Sequence, residues 1–180
     1  RARRLGIGLA LVMRLALLWS FFVPVSGRFS VQPLKKAPDI AWSMGTVAIL
    51  LQLFFVYIFT SIHKLHPIWT KEYSAIYYAL NIDMFATPLA VWFRQFYPLT
   101  QFLTASTLLW EIAGPIAAVL FNGWPRFAVA MIFIFFHLNL TLFLELGLFP
   151  WICIVYWLLY WPPVFWRSPT GALVEAKIDA

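Results

Sequence analysis

The sequence predicts an all-α fold: a polytopic transmembrane helical bundle of about five spans, with one broken interfacial or re-entrant segment. Of the 180 residues, 63% are apolar and only 11% are charged, whereas soluble domains average about 45–50% apolar and about 25% charged residues. Most of the ten Trp residues fall at the ends of predicted spans, where an aromatic belt forms. This composition excludes a disordered chain, a disulfide scaffold and an ordinary cytosolic enzyme.

Each predicted span is an apolar run bounded by polar or helix-breaking residues. Proline ends or precedes several of them, as at Pro24 and Pro150, because it lacks the backbone N–H that a helix interior needs. The polar stretch 26–39 is predicted to be a loop, and Asn122-Gly123 a turn. The predicted spans are 5–23, 42–62, 99–121, 126–147 and 151–161.

The stretch 74–97 is predicted to form two helical pieces broken near Pro88. It is apolar enough to enter a membrane but contains Asp83 and Arg94, so it is predicted to lie re-entrant or across the interface. The transmembrane domain is assigned to 1–166 and a soluble tail to 167–180. Because the chain opens at Arg1 and not at Met, we expect the domain to lack its N-terminal part.

The formal net charge of +6 comes partly from basic residues near the predicted membrane surface. Arg1, Arg3, Arg4, Lys35 and Lys36 are placed to hold anionic lipid headgroups, so membrane lipids are predicted partners. Nucleic acid is not, because it requires a soluble basic face. The single Cys153 excludes an internal disulfide and a multi-cysteine metal site, and no metal site is predicted.

Ionisable groups inside spans carry the most functional information, because each costs about 2.5–3.5 kcal/mol to insert. They are expected to face the bundle interior and to pair with one another. The candidate catalytic residues are Lys64, Glu111 and His137. The remaining members of the predicted intramembrane polar network are Arg14, Asp83, Arg94, Thr141 and Glu145.

His137, Thr141 and Glu145 are spaced at i, i+4 and i+8, which predicts one stripe on a helix. The stripe could relay protons or hold a ligand, but an interhelical hydrogen-bonding patch is the favoured interpretation. Asp83 is either part of a pocket wall or a turn former.

Glu111 lies four residues before Pro115, which deprives the Glu111 carbonyl of its helical partner and predicts a bend of more than about 20°. We expect Arg14 to pair with Glu111, since both lie in mid-span. A buried structural ion pair is the favoured interpretation of Glu111.

Several segments occur in an order that resembles one known family. They are LWSFFVPVSGRFSVQPL, LQLFFVYIFTSIHKLHPIW, YYALNIDMFATPL, LTASTLLWEIAGP and FHLNLTLFLELGLFPW. The set resembles the HTTM family, bacterial membrane proteins similar to the transmembrane part of vitamin K-dependent gamma-carboxylase. The likeness extends over about 14–166 and implies a polytopic helical domain in the bacterial inner membrane.

The resemblance also implies a possible chemistry. The carboxylase couples oxidation of a quinol to proton abstraction from glutamate, and Lys64 matches the position of its essential lysine. The upstream histidine that the carboxylase needs has no match here, and its large lumenal domain is absent. Both departures argue against gamma-carboxylation by this chain.

Two hypotheses follow. The favoured one is a non-catalytic accessory or structural subunit of a larger membrane complex, contacting other subunits and lipid, quinone or pigment; the sequence identifies no single cofactor. The alternative is a membrane-embedded enzyme with quinol-linked or acid/base chemistry at Lys64, assisted by Glu111 or His137. The enzyme requires an acid or histidine within hydrogen-bonding reach of Lys64. Burial of Lys64 without a carboxylate would favour it, and a salt bridge to Glu72 or Asp83 would oppose it.

Overall fold

The computed structural model describes residues 12–23 and 43–162, which form helices joined by turns and loops, with no β-strand among them. The first helix, α1, covers 12–20 of the described residues. The others are α2 (Met44–His63), α3 (Pro67–Thr70), α4 (Ala75–Leu80), α5 (Pro88–Phe93), α6 (Tyr97–Leu120), α7 (Trp124–Phe143) and α8 (Phe149–Leu158). The predicted tail 167–180 lies outside the described residues.

Three described helices, α2, α6 and α7, are long and apolar enough to cross a membrane. They indicate a membrane protein and correspond to three of the five predicted spans. The last predicted span is only the ten-residue α8, which at 1.5 Å per residue reaches about 15 Å, half of a hydrocarbon core of about 30 Å. The first predicted span is described only in part, so the count of five is not confirmed.

The chain divides into two compact units. One is Leu51–Tyr160, and the other combines Arg1–Leu50 with Trp161–Ala180. In the described part of the latter, Gly45 lies against the backbone of Trp19 and Phe22, and a Cβ at Gly45 would come within 2.7 Å of the Phe22 carbonyl carbon. The candidate site belongs to the unit Leu51–Tyr160.

The turn between α6 and α7 is set by local chemistry. Gly123 has a φ of +64°, which an L side chain rarely adopts, and Trp124-Pro125 then begins α7. Arg126 donates from Nε to the Phe121 carbonyl over 2.8 Å and from Nη2 to Asn122 Oδ1 over 2.7 Å. The Phe121 carbonyl at the end of α6 is therefore capped by a side chain from α7.

The region after α4 returns as α5, which Pro88 opens and Thr87 caps by accepting from the Ala90 N–H. Here the non-helical backbone is paired: Thr87 N donates to Phe143 O over 3.2 Å, and Glu145 N donates to Phe85 O over 2.7 Å. This short antiparallel contact satisfies polar backbone that no helix satisfies.

α6 continues as one helix past Pro115, so the bend there remains a prediction. Beside it, Gly114 is buried against the ring of Phe133. Phe133 is fully buried and stacks on Trp157, with centroids 4.0 Å apart and 8° between the planes. Tyr57 meets the same ring at 4.7 Å. This aromatic core joins α2, α6, α7 and α8 and fixes the side chains of the site.

Candidate functional site

Lys64 and Glu111 form an ion pair between the end of α2 and the middle of α6. Lys64 Nζ donates to Glu111 Oε2, and the two side chains are 18% and 7% exposed. The indole of Trp69 lies over the ammonium, 4.8 Å from Nζ to the ring centroid. The cation is thus held by a carboxylate and an aromatic face, both interactions that gain strength as water is excluded.

The position of Lys64 follows from the helical repeat of α2. Leu53, Tyr57 and Ser61 are all buried, and their spacing of four residues places them on one face, which Lys64 continues three residues later. Lys64 N donates to Ser61 O over 3.0 Å, so the last turn of α2 extends to this residue. The chain then reverses at α3, which brings Trp69 back over the ammonium.

A second polar group, the His137 network, consists of His137, Tyr57 and Trp157. Trp157 Nε1 donates to Tyr57 Oη over 2.9 Å, and Tyr57 Oη and His137 Nε2 are 3.1 Å apart. His137 Nδ1 lies 2.7 Å from Phe133 O. A carbonyl can only accept, so Nδ1 carries the proton, and the neutral ring then accepts from Tyr57 through Nε2.

This network limits what His137 can do. Its ring is 1% exposed and both nitrogens have partners, which favours the hydrogen-bonding patch over a proton relay. The predicted stripe also needs correction: α7 ends at Phe143, so Glu145 lies beyond the helix and is exposed. Thr141 donates to Leu138 O within its own helix.

Two further buried polar atoms were not anticipated from the sequence. Ser61 Oγ and the indole N–H of Trp110 have no hydrogen-bonding partner among the described residues. Ser61 precedes Lys64 by one helical turn, and Trp110 precedes Glu111 in the chain. Ser61 could have been identified from its position one helical turn before Lys64. Trp110 could not, because nothing in the sequence distinguishes it from the other aromatic residues.

The other predicted site residues lie elsewhere. The cation on Glu111 is Lys64, which corrects the pairing with Arg14 expected from the sequence; Arg14 is exposed on α1. Asp83 is exposed in the turn after α4, as a turn former would be. Arg94 follows α5 and donates to Asn81 Oδ1 over 3.0 Å, joining the ends of α4 and α5.

Within the described part of the chain, no group of three or more His, Cys, Asp or Glu side chains is arranged to hold a metal ion. Comparison of the chain with protein-family models, curated proteins and solved structures finds no match.

Proposed function

We propose that the chain is an integral protein of the bacterial inner membrane, similar to the HTTM family, and that it is an enzyme whose acid/base chemistry takes place at Lys64 and Glu111. The proposed substrate is a lipid-soluble molecule with an acidic hydroxyl group, such as a quinol. The observation that carries the proposal is the contact itself. Residues 47 positions apart in the sequence bring an amine and a carboxylate together at a partly buried site, within the reach that acid/base catalysis needs.

The pair supplies its own route to a neutral lysine. Transfer of a proton from the Lys64 ammonium to the Glu111 carboxylate converts two charged groups into two neutral ones, so the loss of their mutual attraction is offset by the relief of their desolvation penalty. The neutral amine then accepts the proton of the substrate hydroxyl. The ammonium that results lies beside the new oxyanion and stabilises it.

This mechanism differs from the one expected from the sequence, in which Lys64 is buried without a carboxylate. A salt bridge to Glu72 or Asp83 was expected to argue against catalysis, because a nearby carboxylate holds the charge on the ammonium. Glu111 is different: it is buried in α6, between a Trp and the Gly114-Pro115 pair. A carboxylate there is a proton acceptor inside the membrane domain.

The accessory-subunit hypothesis requires an apolar surface for a partner protein. The described helices expose apolar side chains, but these side chains do not distinguish a partner protein from lipid. Phe59, Phe102 and Phe135 each expose more than half of their side chains. Lipid tails cover such residues as well as a partner subunit does. Stoichiometric copurification of a second membrane protein in mild detergent would favour the subunit.

The enzyme is tested by the reactivity of Lys64 towards an acylating reagent, which attacks only neutral amines. Lys71, exposed after α3, is the internal control. We expect menadiol to slow acylation of Lys64 several-fold, read by mass spectrometry, and to leave Lys71 unaffected. A Lys64 that resists acylation with or without menadiol contradicts the proposal.

A second measurement follows the chemistry. Deprotonated quinols react with oxygen faster than neutral ones, so the protein should accelerate oxygen uptake by menadiol. Lys64→Met and Glu111→Gln should each reduce this acceleration at least tenfold, within the range of about 10²–10⁴ that acid/base catalysis contributes. Lys71→Met should leave it unchanged, and equal rates in all four proteins would refute the enzyme.

A further inference from the structure

Two buried polar groups on the helices that carry the ion pair have no hydrogen-bonding partner among the described residues. Ser61 is 3% exposed, and its hydroxyl makes no hydrogen bond among the described residues; the same holds for the buried indole N–H of Trp110. Folded proteins satisfy the great majority of such groups, because an unpaired buried donor has lost its water without gaining a partner. Two such groups on the helices that form one ion pair call for a bound group.

Each of the two helices that carry the ion pair contributes one of them. Ser61 lies on the buried face of α2, one turn before Lys64. Trp110 directly precedes Glu111 on α6, and its ring stacks on Phe133 at 6.1 Å with 28° between the planes. One group therefore comes from the lysine side and the other from the carboxylate side.

The chemistry of these groups defines what they can bind. The indole N–H can only donate, the serine hydroxyl can donate or accept, and the Lys64 ammonium donates. Their neighbours are aromatic: Trp69 covers the ammonium and Phe133 covers the indole. Such a site suits an apolar molecule that presents a hydrogen-bond-accepting oxygen, because the rings take the body and the donors take the oxygen.

We propose that Ser61 and Trp110 bind an acceptor oxygen, hydroxyl or carbonyl, of a membrane-soluble molecule and orient that molecule against Lys64 and Glu111. The inference rests on the proposed function, for which it supplies binding residues. It treats neither residue as catalytic: each positions the ligand by a hydrogen bond that the protein alone does not make. A trapped water shared with these groups is the competing account.

The test uses two probes that differ in one oxygen, 1-tetralone, which has a carbonyl, and tetralin, which does not. Binding of both to the purified full chain in detergent is measured by equilibrium dialysis. The wild type should prefer tetralone. Ser61→Ala and Trp110→Phe should each reduce that preference about five- to tenfold, as the loss of one hydrogen bond does, while tetralin binding changes little.

Matched variants separate a lost ligand contact from a lost structural one. Trp157→Phe removes an indole whose N–H is already used by Tyr57, and Ser106→Ala removes a hydroxyl already bonded to Phe102 O. Ser106→Ala, and Trp151→Phe on the exposed side of α8, should leave the ratio of tetralone to tetralin binding unchanged, whereas Trp157→Phe serves only as the stability control. In the absence of probe, Ser61→Ala should unfold at or above the wild-type temperature, because it removes an unpaired polar group at little cost in volume, whereas Trp157→Phe should unfold at a lower temperature, because it removes the donor to Tyr57.

If Ser61→Ala and Trp110→Phe both keep the wild-type preference for tetralone, the inference is overturned. The Ser61 hydroxyl and the Trp110 N–H would then be assigned to a trapped water. If Trp110→Phe fails to fold, Ser61→Ala decides alone. The binding ratio is independent of acylation and oxygen uptake. An inert Lys64 combined with a Ser61-dependent preference would refute the enzyme and keep the binding site, and a reactive Lys64 without the preference would do the reverse.

Discussion

Gly114 of α6 lies against the ring of Phe133 of α7, so closely that a Cβ at Gly114 would come within 2.7 Å of Phe133 Cζ. Movement of the ring away from Gly114 is opposed by its contacts with Trp157, Tyr57 and Trp110. The absence of a side chain at position 114 therefore permits the close approach of α6 and α7 on which the site depends.

Gly114→Ala should destabilise the protein. Overpacking a filled interior costs about 1–3 kcal/mol, which exceeds the gain of up to about 1 kcal/mol from replacing glycine by alanine in a helix. Thermal unfolding in detergent measures the difference. Adding Phe133→Leu should make the alanine less harmful than it is in the wild type. An alanine variant as stable as the wild type would mean that the two helices can move apart freely.

The hydroxyl of Tyr57 is the centre of the His137 network, and Tyr57→Phe removes it. The substitution leaves the Trp157 N–H and His137 Nε2 buried without their shared partner, at about 1–3 kcal/mol for each unsatisfied group. We expect a clear loss in the unfolding temperature. Tyr78→Phe is the control, because Tyr78 is largely exposed and should change stability by less than about 0.5 kcal/mol. Equal effects of the two substitutions would contradict the network.

Thr87 joins the start of α5 to the end of α7. Its Oγ1 donates to Leu142 O over 2.8 Å and accepts from Ala90 N over 3.3 Å. Thr87→Val keeps the shape and removes both bonds, so it should cost about 1–2 kcal/mol, in the range of a lost N-cap. Thr87→Ser should retain most of the stability. Faster amide hydrogen exchange around 85–90 in the valine variant, but not in the serine variant, is the expected signature.

Much of the helical architecture could be predicted from apolar run length and proline. The ends of α2, α6 and α7 lie within about four residues of the ends of the predicted spans. A long apolar segment forms a helix because the helix pairs all backbone N–H and C=O groups without water. α8 shows the limit of this rule. Its apolar run predicted a span, but the helix is ten residues long, and length alone decides whether a helix can cross.

The pairing of charges could not be predicted, because it depends on the rotation of each helix about its axis. Depth in the span favoured Arg14 as the partner of Glu111, yet Lys64 takes that place from the turn after α2. Likewise the i, i+4, i+8 spacing of His137 and Glu145 predicted a shared stripe, and the end of α7 at Phe143 removes Glu145 from it. A spacing of three or four residues places side chains on one face only if all of them lie within the same helix.

The ion pair itself yields the last prediction, which compares single and double substitutions. Lys64→Met leaves a buried carboxylate without its cation, and Glu111→Leu leaves a mostly buried ammonium without its anion. Breaking a fully buried pair costs about 3–5 kcal/mol; Lys64 retains 18% exposure, so we expect the lower end of that range. The double variant Lys64→Met/Glu111→Leu should recover most of the loss, because apolar residues of similar size replace both charges and no charge remains unpaired. Unfolding temperatures of the four proteins give the coupling, with Lys71→Met as the control for removal of an exposed lysine. Additive losses would mean that the two side chains do not interact, and both the pair and the chemistry proposed for it would then fail.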